Sequence, residues 1–108
     1  MFALQPNPTF KSEITIPVPG GGEGKITFEF RHKSRPALKT FFDGFAEVEG
    51  QPAKEDIDAI GEIVAGWEGV DGEYSREALA QLLDNYPRAA ASILAGYSSA
   101  MFEAKEKN

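Results

Sequence analysis

Residues 12–18 read Ser12-Glu13-Ile14-Thr15-Ile16-Pro17-Val18, and residues 25–31 read Lys25-Ile26-Thr27-Phe28-Glu29-Phe30-Arg31. Apolar and polar side chains alternate in both. Ile14, Ile16 and Val18 share one face against Glu13, Thr15 and Pro17, and Ile26, Phe28 and Phe30 oppose Lys25, Thr27, Glu29 and Arg31. A period of two marks a strand with one buried face, and the β-branched and aromatic residues suit a pleated surface. Between the stretches, Pro19-Gly20-Gly21-Gly22-Glu23-Gly24 reads as a glycine-rich hairpin loop. An isolated hairpin is marginal in water, so its apolar face must pack on something. The expected fold is therefore α+β, an N-terminal β-hairpin packed on a bundle of about four α-helices, in a single domain over residues 1–108. Residues 1–9, with Pro6 and Pro8 around Asn7, read as an extended lead-in.

The period changes after His32. Ser34 is placed to cap a helix and Pro36 is tolerated in its first turn. Leu38, Phe41, Phe42 and Phe45 fall at i, i+3, i+4 and i+7, one helical stripe; Gly44 weakens the helix and Gly50 is expected to end it. Pro52 opens a second helix, with Glu55 and Asp56 where the helix dipole favours acids. Its stripe is Ile57, Ile60, Val64 and Trp67, and Gly66 and Gly69 bracket its expected end. Glu68 to Tyr74 reads as a turn or a very short hairpin, and Ser75 starts a third helix striped by Leu79, Leu82, Leu83 and Tyr86. Pro87 starts a fourth helix or kinks the third into it, with Ala90, Ile93, Leu94, Tyr97 and Met101 on its stripe. The charged tail 103–108 is expected to fray.

Composition narrows the function classes. The net charge of -6 lacks the basic footprint that nucleic-acid phosphates require. The absence of cysteine removes disulfide scaffolds and thiolate metal sites. No stretch approaches the roughly 20 apolar residues of a membrane span, and Met1-Phe2-Ala3-Leu4-Gln5-Pro6 has neither the basic nor the long apolar part of a secretory signal.

The chemistry-bearing residues read mostly as structure. Gly20 to Lys25 does not form a phosphate loop: Pro19 stands where the first glycine belongs, Ile26 stands where Ser or Thr should follow, and the segment joins two strands. The only histidine, His32, has no nucleophile or carboxylate signalled nearby to make it a catalyst. With Arg31, Lys33 and Arg35 it forms the one basic cluster of an acidic chain. That cluster is either an exposed strand-to-helix connection or a contact for an acidic surface, such as another copy of this chain. Glu55, Asp56 and Asp58 suit a helix N-terminus, and Glu68, Asp71 and Glu73 lack the ligand spacing of a calcium loop. Trp67 and Tyr86 sit at element boundaries, where they either anchor neighbouring helices or lie on an interface. Phe102, beyond the last stripe, either binds a partner or covers the hairpin. The candidate partner-binding residues are thus Arg31, His32, Lys33, Arg35, Trp67 and Phe102, and no cofactor is expected.

One ordered series adds to this. Trp67 and Val70 with Asp71 form an acidic turn before Ser75; Leu82-Leu83 leads to Tyr86-Pro87 and a last helix, and the chain closes on Lys107-Asn108. These pieces in this order resemble the tail assembly chaperones of long-tailed, siphovirus-type bacteriophages and prophages. The resemblance implies a non-enzymatic protein of the infected bacterial cytoplasm. Such a protein coats the tape-measure protein, recruits tail-tube subunits, self-associates and is left out of the finished virion. It also implies a longer form made by ribosomal frameshifting, and Glu106-Lys107-Asn108 is encodable with the slippery heptamer A AAA AAC. Two alternatives stand beside it: a small tail-completion or adaptor protein retained in the virion, and a regulatory interaction domain outside phage biology.

Overall fold

The computed structural model describes residues 1–45 and 55–103. The two alternating stretches form β1 (Thr9–Pro17) and β2 (Glu23–Arg31), paired antiparallel with Ile14 opposite Ile26 and Phe10 opposite Phe30. Gly20, Gly21 and Gly22 of the connecting loop all adopt positive φ, a conformation glycine reaches without Cβ strain. The amide of His32 donates to the carbonyl of Pro8 at 2.9 Å, which carries the ladder one pair past Thr9 and Arg31.

Four helices follow: α1 (Arg35–Asp43), α2 (Asp56–Ile63), α3 (Arg76–Asn85) and α4 (Ala89–Phe102). The Ser34 hydroxyl accepts from the amide of Ala37 at 3.3 Å, and that of Ser75 accepts from Ala78 at 3.0 Å, so both helix starts carry the side-chain caps their sequences call for. α1 stops at Asp43 with Gly44 as its cap, two residues short of the end of its stripe, and leaves Phe45 beyond the helix. Gly50 and Pro52, the expected end and start of neighbouring helices, lie outside the described residues, as do 104–108 of the charged tail.

The second helix departs most from expectation. It ends at Ile63, and Val64–Glu68 forms a third strand, β3, antiparallel to β2 in a sheet of order β1-β2-β3. Val64 and Trp67 stand three residues apart, the spacing of a helical stripe. In the sheet they face Phe30 and Phe28, which stand two apart, and a bulge between Glu29 and Phe30 absorbs the extra residue. The bulge keeps both β3 side chains on the buried face and so imitates helical spacing.

The helices cover the sheet face formed by Ile14, Ile16, Ile26, Phe28, Phe30 and Val64. Leu38, Phe41, Ala59, Ile60, Ile63, Leu79, Ala89, Ile93 and Tyr97 complete one buried cluster. α4 crosses β1 closely at Gly96, where a Cβ would overlap Ile14. The opposite sheet face stays polar, with ion pairs from Lys11 to Glu68 at 2.6 Å and from Lys25 to Glu13 at 3.9 Å. Within the described residues no helix is long and apolar enough to cross a membrane.

Candidate functional site: two ends of the sheet

At the end where β1 begins, polar groups are spent on holding the fold. Arg31 Nη1 donates to the carbonyls of Val64 at 2.8 Å, Gly61 at 3.2 Å and Glu62 at 3.3 Å, closing the open carbonyl end of α2 and its turn into β3. Lys33 pairs with Glu62 at 2.7 Å and lies 5.5 Å from the Phe41 ring centre. Tyr97 is fully buried and its hydroxyl donates to the carbonyl of Arg31 at 2.8 Å. Burial, reinforced by the nearby charge of Glu62, pushes the Tyr97 phenol up to about 12. Its ring meets Phe30 at 5.2 Å, Phe41 at 6.2 Å and Phe10 at 6.3 Å, an aromatic knot that fills this end. His32 and Arg35, by contrast, are exposed and make no ion pair among the described residues.

The end where β1 turns into β2 is open. A groove of about 570 Å³ lies between the hairpin tip, the 69–72 turn and α3. Its apolar lining comes from Ile16, Ile26, Trp67, Val70, Leu82 and Tyr86. Trp67 shapes it: Nε1 donates to the carbonyl of Gly72 at 2.8 Å, and the ring stands edge-on to Tyr74 at 5.2 Å and Phe28 at 6.4 Å. Gly69 turns the chain back at a φ of 88°, a left-handed position that favours glycine. The Tyr74 hydroxyl donates to Val64 at 3.2 Å and ties the turn to the sheet. Asp71 and Glu73 border this turn without an ion pair among the described residues.

The six residues singled out from sequence therefore separate. Arg31, His32, Lys33 and Arg35 stay together at the aromatic end. Phe102 is 60% exposed and follows Tyr97 by five residues on α4, which runs toward that same end. Trp67 lines the groove. Tyr86, paired with Trp67 in the sequence as a boundary aromatic, lines it too, whereas Leu82, Ile16 and Ile26 were not foreseen as groove walls, because their membership depends on bringing residues 16–26 against residues 78–86. A second unforeseen feature is α4 itself: from Ala89 to Phe102 it has no charged side chain, yet Ala91, Ala95 and Phe102 face solvent.

Among the described residues no group of acidic or histidine side chains is arranged to hold a metal ion. A protein-family model described as phage tail assembly chaperone matches residues 1–108. No curated protein and no solved structure matches the chain.

Proposed function

The chain belongs to the phage tail assembly chaperone family, and from that premise we propose that it binds the tape-measure protein and recruits tail-tube subunits during tail morphogenesis. It does so in the bacterial host cytoplasm and catalyses no reaction. The whole-chain family match carries this reading. The uncharged outer face of α4 supports it. A long helical client exposes apolar stripes until the tube encloses it, and unprotected stripes aggregate. Ala91 and Ala95 let a client helix approach closely, and Phe102 supplies the large exposed anchor that such contacts depend on.

Co-expression with the tape-measure protein tests this. The wild-type chain is expected to keep the client in the soluble fraction, and the pair Ala95→Glu and Phe102→Asp to lose it while remaining folded. A client equally soluble without the chain contradicts the reading. Mass spectrometry of purified virions separates the chaperone from the retained adaptor: stoichiometric amounts of this chain in mature tails support the adaptor. The longer frameshifted form belongs to the same proposal, and an AAG codon at Lys107 would remove its slippery heptamer.

A further inference from the structure

The two outer strands of the sheet present different edges. β3 is five residues long, its pairing carries the bulge, and its first carbonyl, Val64, already accepts from Arg31 and Tyr74. β1 is nine residues long, pairs with β2 in unbroken register and has no proline before Pro17. The bonds from His32 to Pro8 and from Val18 to Gly22 bracket that ladder and fix its phase. Even-numbered residues therefore bond to β2, and the main-chain amides and carbonyls of Lys11, Glu13 and Thr15 point outward. None of these groups makes a hydrogen bond among the described residues. Charged side chains ordinarily guard such an edge. Here Lys11 reaches across to Glu68 at 2.6 Å and Glu13 meets Lys25 at 3.9 Å, so both are drawn over the sheet.

A roof lies above this edge. Within the sheet α4 packs chiefly on β1, where Gly96 meets Ile14. Tyr97 turns inward to Phe30 and Phe41, so the flank carrying Gly96, with Ser92 and Ser99 a turn to either side, lies toward the open edge. These three residues are half-buried, small and uncharged. We propose that the β1 edge binds an extended segment of a partner protein as a fourth strand, bonded to the main chain of Lys11, Glu13 and Thr15, with uncharged side chains beneath Ser92, Gly96 and Ser99. The outward groups recur every two residues, about 6.8 Å, which is the repeat of an extended backbone. The uncharged roof matches an uncharged inner face on that strand. A second copy fits poorly. Antiparallel β1 strands about 4.8 Å apart would bring two α4 helices to that separation, and packed helices need about 8–10 Å. The occupant is therefore a strand that carries no helix on its own face. This edge is separate from the surface of Ala91, Ala95 and Phe102, and it holds or fails independently of the helical client.

Amide hydrogen exchange followed residue by residue tests it. The probe is a capped peptide of alternating valine and threonine with a lysine at each end. Exchange at Lys11, Glu13 and Thr15 is expected to be fast without the peptide and at least about tenfold slower with it, while Phe10, Ser12 and Ile14, already bonded to β2, change little. Glu13→Pro removes one outward amide at a position that gives no bond to β2, and is expected to weaken peptide binding about tenfold, the scale of one lost hydrogen bond. Ser99→Lys obstructs the roof without touching β1, is expected to give a similar loss, and serves if Glu13→Pro fails to fold. Unchanged exchange at the three amides up to the highest soluble peptide concentration overturns the proposal, as does full binding by either folded variant. Protection of those amides that grows with protein concentration in the absence of peptide assigns the edge to a second copy and overturns it too.

Discussion

The two ends of the sheet are built from the same strands and put to different uses. At one, Phe10, Phe30, Phe41 and Tyr97 close on each other while Arg31 and Lys33 turn inward to carbonyls and a carboxylate. At the other, Trp67, Leu82 and Tyr86 stand around open space. Mutational cost should follow this division: substitutions at the filled end lower stability strongly, and substitutions at the open end lower it little.

The largest effect tests the filled end. Phe30 is fully buried among Phe10, Phe28 and Tyr97, and Phe30→Ala is expected to cost about 3–5 kcal/mol in denaturant unfolding. Next is Arg31→Met, which keeps much of the side-chain stem but removes the guanidinium donor from the carbonyls of Gly61, Glu62 and Val64, of which Val64 keeps the Tyr74 hydroxyl. A loss of about 1–3 kcal/mol is expected, and an unchanged midpoint would place Arg31 outside the framework of the fold. At the open end, Leu82→Ala removes a half-buried groove wall, so about 1 kcal/mol or less is expected. If Leu82→Ala destabilised the chain as much as Phe30→Ala, the division between the ends would fail.

Alkaline pH gives a further contrast, read as a slope. The unfolded chain releases the Tyr97 proton near its ordinary value of 10.0, whereas the folded chain holds it to about 12. Between those values the folded state binds the extra proton, so stability is full below about 10 and falls as pH rises through about 12. Burial also raises Tyr74, at the edge of the groove turn, and this acts in the same direction. Thermal unfolding followed from pH 8 upward is expected to fall above pH 10, and Tyr97→Phe to flatten most but not all of that slope.

Much of the fold was legible because its signals are local. The alternation of Ile14, Ile16, Ile26, Phe28 and Phe30 defines two strands, and Ser34 and Ser75 mark helix starts that the structure keeps. β3 was not legible because a bulge in a distant pairing turned a strand spacing into a helical one at Val64 and Trp67. The end of α1 was also misread, since the phenylalanine stripe continues past the turn at Gly44 where the helix stops. Of the groove, only Trp67 and Tyr86 stand out in the sequence, as aromatics at element boundaries. A wall such as Leu82 looks in sequence like any helix core position, and only the packing of α3 beside the hairpin tip leaves it half-buried with space in front of it.

Trp67 is the only tryptophan and it lines the groove, so its emission reports directly on unfolding. The decisive measurement follows Trp67 emission through denaturant unfolding of Phe30→Ala and of Leu82→Ala side by side. A loss of about 3–5 kcal/mol for Phe30→Ala against about 1 kcal/mol or less for Leu82→Ala is the result predicted here. Equal losses for the two variants would contradict one filled end and one open end on the same sheet.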